Sequence, residues 1–282
     1  SIPPEKRGIG FSIQTLLPDV ARLLGPAIAG VLYLNLGLVP AVRMGYGAAF
    51  IFFMIAAVMR VGLKETLKET GGRPSASAIL SSYPKSVRES VGVWRLLPKV
   101  MLNLFLISSL LQFFISMCSP YLVVYATKIL SVSGFGWALV AISLIGTRTL
   151  SALPTGKIID RFGRKRPLLV SPLLLLPAIL LFAYGDFQRL LVSSLLMGVG
   201  QSMFWIAERS LQADLVARER RGKVIACVHF VSFILVALGQ LLGGILYTYV
   251  SPRAPFIIFA ASTIPLAIMT IFLVHDPKKR EE

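Results

Sequence analysis

The sequence predicts an all-α polytopic membrane protein with eight spans, and three observations predict it. Hydrophobic residues fill 55% of the 282 positions against 15% charged, and the mean hydropathy of +0.76 lies above that of a water-soluble domain. Eight stretches each supply the roughly 20 apolar residues with which a helix crosses about 30 Å of hydrocarbon. The charge is lopsided, 29 Lys and Arg against 13 Asp and Glu for a net +16, and its basic part falls almost entirely into alternate loops.

The spans cover 8–34, 41–61, 100–126, 135–153, 167–184, 190–211, 224–249 and 254–274. The first carries Ser12, Thr15, Asp19, Arg22 and Pro26 on one helical face, with Pro18 expected to kink it. Asp19 and Arg22 stand three apart and can pair. The second is uniformly apolar. Between it and the third, 64–98 is polar and rich in Ser, Gly and charge, and reads as a cytoplasmic linker whose later half could form short helices on the membrane surface. The third and seventh spans are the clearest: no Lys, Arg, Asp or Glu lies between Lys99 and Lys128 or between Lys223 and Arg253. None of the spans alternates as a barrel strand would.

Span three sets Ser108, Gln112, Ser116 and Ser119 on one face, and span six does the same with Ser194, Gly198, Gln201, Trp205, Glu208 and Gln212. Polar faces inside a membrane turn from lipid towards partner helices or water, so these faces line a cavity or bond between helices. Span four contributes Arg148, which with Glu208 lies about 12 Å in from the cytoplasmic helix ends. Arg148 can pair with Glu208 or with Asp19. Intramembrane charges of this kind are candidates for proton coupling or for structural ion pairing. Asp19 and Glu208 rank ahead of Arg148, Arg22 and the lone His229.

With both ends on one side, that face holds 23 basic residues and the other only Arg43, Lys128, Arg189 and Arg253; Arg22 and Arg148 lie within spans. By the positive-inside rule both ends are cytoplasmic. The excess charge is thus a matter of topology, and nucleic acid is not expected as a partner. Cys118 and Cys227 sit in apolar runs, and Cys/His clusters, HExxH, GxSxG and the GxxxxGK[ST] loop are all absent from the sequence, so no metal, cofactor, enzymatic activity or nucleotide hydrolysis is expected.

An internal repeat follows. At an offset of 214, PPEKRG at 3–8 meets ARERRG at 217–222, and LGPAIAGVLY at 24–33 meets LGQLLGGILY at 238–247. Spans one and two are therefore counterparts of spans seven and eight, in a parallel repeat of six-helix units. The expected domains are 1–63, the last two helices of a first bundle; 64–98, the central linker; and 99–282, a complete six-helix second bundle. Four helices are expected before Ser1.

Between spans four and five stands GKIIDRFGRKR, 156–166. It resembles the G-x-x-x-D-R-x-G-R-[KR] loop of the major facilitator superfamily, matched by Gly156, Asp160, Arg161, Gly163, Arg164 and Lys165. SLQADLVARERRGK and LGQLLGGILY are similar to the tenth-to-eleventh helix region of the same superfamily, whose two halves are known to be parallel repeats. The resemblance implies helices five to twelve of a twelve-helix fold. In that fold spans three and six would be cavity-lining helices, presenting Ser108, Gln112, Ser116, Gln201 and Trp205.

The loop has its own physical reading. Gly156 allows close helix approach, Gly163 a tight turn, and Asp160 can face a helix N-terminus, expected to be that of span seven near Gly222. Arg161 and Arg164 can reach Asp214 and Glu219. The resemblance implies that such a cluster holds the cytoplasmic side closed and rearranges as the halves rock; the alternative is a set of topological charges around a turn. GPAIAG in span one, with Gly25, Pro26 and Gly30, is similar to a fifth-helix motif of proton-coupled antiporters, although Ala21 and Ala29 replace glycines of that pattern. Close helix packing is its alternative reading.

The expected function is secondary transport of a small solute by alternating access, coupled to protons, with export favoured over uptake. The alternative is a membrane sensor or scaffold that does not transport. A small-molecule substrate, protons and the lipid bilayer are the expected partners, the full-length protein is expected to be a monomer, and its expected location is the plasma membrane.

Overall fold

The computed structural model describes residues 7–62, 98–216 and 218–276. Among these residues eight long helices form, one for each expected span: α1 (Arg7–Leu36), α2 (Leu38–Val61), α3 (Lys99–Cys118), α4 (Gly134–Phe162), α5 (Lys165–Ala183), α6 (Phe187–Leu215), α7 (Arg218–Ile245) and α8 (Ala254–Leu273). All eight are long and apolar enough to cross a membrane. The linker over 64–98 and its surface helices lie, apart from Pro98, outside the described residues.

The helix ends have local causes. Ser133 Oγ accepts from the Gly136 N–H at 3.0 Å and starts α4. Asp186 Oδ1 accepts from the Arg189 N–H at 3.0 Å and starts α6. That backbone hydrogen bond holds the Asp186 carboxyl below the usual aspartate range. α1 runs as one helix through Pro18 and Pro26. Both α3 and α7 end in π-helical turns: α3 continues through Ser119–Tyr121 and Leu122–Val124 into Tyr125–Ile129, and α7 into Leu246–Val250.

The largest departure from expectation is in α4. The expected span stops at 153, but the helix continues through Pro154 to Phe162 and ends only where Gly163 adopts φ +89. Gly156, Asp160 and Arg161 of the signature stretch are therefore helical rather than loop residues, and the first residue to leave helical backbone is Gly163, which turns the chain at positive φ. Arg148 correspondingly lies about 21 Å from the Phe162 end of its helix, not 12 Å.

The core sits among α3 to α8. Tyr125, fully buried in the first π-turn, donates its hydroxyl to the Ala183 carbonyl at 2.6 Å and accepts from Arg253 Nε at 3.2 Å, while its ring packs with Phe182 and Phe256. This network ties three helix ends together at the pole opposite the signature stretch. α7 crosses α3 closely: a Cβ at Gly239 or Gly243 would collide with the backbone of Phe113 or Met117. α1 lies along α4, with Gly30 against Ala138, Gly134 against Tyr33 and Gly146 against Leu23. α2 touches α1 and leaves Phe50, Phe52, Phe53 and Met54 exposed, the kind of surface a span presents to lipid or to further helices.

Candidate functional site

Two polar clusters lie along α1 and α4. The inner one centres on Asp19, which is 1% exposed. Arg148 donates to it from Nε at 2.7 Å and from Nη2 at 2.5 Å, a two-point fork across the helix crossing, and Arg148 Nη1 reaches Gln201 Oε1 on α6 at 3.4 Å. Arg22 donates to the same carboxylate at 3.0 Å, yet its side chain is 64% exposed. Both pairings open to Asp19 in the sequence are therefore made. Arg148 with Glu208 is not: the fork is already occupied, and a tight crossing fixes it, since Gly198 of α6 sits against the Leu144 carbonyl and Thr147.

Glu208 stands apart. It is buried, accepts from Gln212 Nε2 at 2.9 Å one helical turn away, and is approached by the Ser108 hydroxyl of α3. Among the described residues it has no ion-pair partner. Gln112 and Trp205 are half-buried, and Trp205 meets the edge of the Phe204 ring. Ser116 bonds the Phe113 carbonyl and lies at the α3–α7 contact beside Gly239. Of the GPAIAG residues, Gly30 makes the close approach to α4, Pro26 is half-buried, and Gly25 has no atom within 4 Å of its Cβ position. His229 is exposed on α7 and stacks on Phe233.

The outer cluster is the signature stretch. Asp160 Oδ2 accepts from the Ile9 N–H at 3.1 Å, so the acid does face a helix N-terminus, but that of α1 rather than that of span seven near Gly222. The reason is packing: α4 runs beside α1 along its length, which brings its end to Ile9. The two sites are repeat counterparts, because Gly8 and Gly222 are 214 apart. A carboxylate there meets the positive end of the helix dipole and an N–H lacking an intrahelical acceptor.

Arg164 is 1% exposed, and its Nε lies 2.8 Å from Asp214 Oδ2 on α6, the expected acid. Glu219 has no described side chain. Arg161 meets no acid among the described residues; it is exposed and lies over the Phe162 ring at 5.2 Å, with Arg166 at 5.9 Å from the same ring. The expected pairing of Arg161 with Asp214 is not made among the described residues, since Asp214 is held by Arg164. Lys165 Nζ donates to the Ile271 carbonyl in the last turn of α8 at 2.7 Å.

A participant not singled out in the sequence is Asp276, just past α8. Its Oδ1 accepts from the N–H groups of Arg164 at 2.9 Å and Lys165 at 3.2 Å. An acid in the chain's last charged stretch carried no pattern that could mark it. Among the described residues no group of His, Cys, Asp and Glu could hold a metal ion.

Comparison with known proteins agrees with this architecture. The chain is 28% identical over 166 residues to the quinolone resistance protein NorA of Staphylococcus aureus, covering 58% of this chain and 42% of that protein. It is 30% identical over 140 residues to a Na(+), Li(+), K(+)/H(+) antiporter of Planococcus maritimus, covering 46% and 32%. The chain thus spans less than half the length of these relatives. A crystal structure of the peptide transporter POT with sulfate has the same fold, with a TM-score of 0.53 and 21% identity over 62% of this chain and 37% of that one. The model of the Major Facilitator Superfamily matches residues 104–282. Eight membrane-crossing helices, the signature stretch with its buried Arg164–Asp214 pair and this match over most of the chain lead to one conclusion: the chain is an integral membrane protein and belongs to the Major Facilitator Superfamily.

Proposed function

We propose that this chain is part of a secondary transporter that moves a small solute by alternating access, with protons as the coupling ion and export as the favoured direction. In this reading residues 1–63 close a first helical bundle, 64–98 link the bundles through the cytoplasm, and 99–282 form the second bundle, with both chain ends cytoplasmic. The α1–α4 contact is then the seam between bundles, and the observation that carries the reading is what lies on it. A buried two-point Asp19–Arg148 pair sits well inside the helices, and Asp160 caps α1 near their ends. Polar groups on a membrane seam are costly unless paired, and pairs that can exchange partners suit a contact that opens and closes.

The roles divide by geometry. Asp160 and the Arg164–Asp214 pair, set by Gly156, Gly163 and Arg161 around them, form a cytoplasmic latch. Asp19 and Arg148, with Arg22 at the same carboxylate, form the inner tie. Glu208, buried with no counter-ion among the described residues, suits a group that takes up and releases a proton, and Asp19 becomes available for the same task when the tie parts. Gln201 and Gln112 supply polar groups beside a mainly apolar surface for the solute.

The names of the relatives supply the probes. Proteoliposomes holding the whole protein are loaded with a labelled quinolone or with labelled Na⁺, and counterflow and proton release are followed under an imposed pH gradient. Accumulation that collapses with the gradient is expected. Accumulation unaffected by a protonophore removes proton coupling, and identical labelling of seam cysteines in all conditions removes alternating access itself.

A further inference from the structure

The segment after α8 is held in place from several sides. Asn103 Nδ2 of α3 donates to the Leu273 carbonyl at 3.0 Å, Lys165 Nζ to the Ile271 carbonyl at 2.7 Å, and Val274 is fully buried. Asp276 follows directly. Its carboxylate lies over the start of α5, whose N-cap residue Arg164 provides no side-chain cap. The cap comes instead from 112 residues away, with Oδ1 accepting the Arg164 and Lys165 N–H groups together. The other oxygen fills the space above Gly163: a Cβ on that glycine would lie 2.5 Å from Asp276 Oδ2. Gly163 is therefore needed both for its φ of +89 and for the room it leaves.

Gly163 and Arg164 form the whole turn between α4 and α5. Three residues before the turn, Asp160 faces Ile9; at the turn itself, the Arg164 side chain is buried against Asp214. Whatever fixes the backbone at 163–165 fixes the aim of both. We propose that Asp276 is a positioning residue of the cytoplasmic latch, tying the end of α8 to the signature turn so that Arg164 stays on Asp214 and Asp160 stays on α1. The inference rests on the latch reading above, and it gives the exit of α8 a part in the seam through the α4–α5 turn.

The test uses the whole protein in inside-out vesicles, with Ser12→Cys as the single cysteine. Ser12 is fully buried one turn along α1 from Ile9, so its reaction with an impermeant maleimide reports seam opening on the cytoplasmic side. Asp276→Ala is expected to raise the labelling rate roughly ten-fold, the scale of losing hydrogen bonds to a charged acceptor. Asp276→Asn, which keeps an acceptor oxygen but loses the charge, is expected to raise it by a smaller factor, roughly three-fold, with solute KM unchanged in both while kcat falls in the first. A merely structural role would alter expression or thermal stability and leave the labelling ratio alone.

Asp160→Asn separates the layers. A rise in Asp160→Asn with none in either Asp276 variant overturns the role of Asp276 and leaves the latch standing. A rise in Asp276→Ala alone overturns the capping role of Asp160 and upholds that of Asp276. No change in any variant overturns both. If Asp276→Ala does not reach the membrane, Asp276→Asn and Asp276→Glu decide: labelling at the parent rate in both, despite the altered cap, overturns the proposal, and a graded rise supports it.

Discussion

Arg164 and Asp214 are both buried and lie 2.8 Å apart, so each depends on the other far more than a surface pair would. Removing one partner of such a pair strands a charge and costs about 3–5 kcal/mol, whereas replacing both by apolar residues of similar volume is near neutral. Arg164→Ala should therefore lower the melting temperature in detergent, and Arg164→Met with Asp214→Leu should restore it while still loosening the latch. Equal melting of the single and double variants would show that the pair is not what stabilises the turn. Asp19→Asn should abolish transport driven by a pH gradient and leave expression intact, because the arginine fork then has no anion to hold. Unchanged transport removes Asp19 from the mechanism. The types of these residues were legible in the sequence: Asp19 with Arg22 from spacing, and Arg148 and Glu208 from charge inside spans. Which partner Arg148 takes was not legible, since spacing along one helix says nothing of the rotation at which two helices cross. Asp276 escaped for a related reason, since its partner lies 112 residues away.

Helix existence follows almost entirely from apolar length, and all eight expected spans form. Their ends are less readable. α4 outruns its apolar stretch because Lys157, Asp160 and Arg161 are as compatible with helix as with loop, and only the positive φ at Gly163 stops it. The small-residue motifs separate in the same way. Gly239 and Gly243 are pressed on the backbone of α3, so Gly243→Ala must push the helices apart, at a cost of about 1–3 kcal/mol. Their repeat counterparts Gly25 and Ala29 carry the same pattern, yet Gly25 meets nothing within 4 Å. A thermal melt of Gly243→Ala matching the parent would show that α3 and α7 are not held at this crossing.

Across the whole molecule, the repeat explains a substitution of partners that no single motif reveals. Asp160 was expected at the start of span seven and is found at the start of span one, the position equivalent under the 214-residue offset. An offset establishes that two helix starts are alike; only the packing of α4 along α1 decides which of them receives the acid. The 23 basic residues assigned to one face make the same prediction for topology: cysteines introduced near Lys157 and Arg209 should react with impermeant reagents only from the cytoplasmic side. Reaction from outside would invert the orientation and with it the proposed direction of the latch.

In the proposed cycle α1 and α4 part at their Ile9–Asp160 ends during transport. A pulsed dipolar distance measurement between spin labels at Ile13 and Ile158, both exposed, in the whole protein tests it directly. With solute and a pH gradient a second, longer distance population should appear beside the closed one, and Asp160→Asn should enrich it. A single distance, unchanged by solute, gradient or the substitution, would contradict the account.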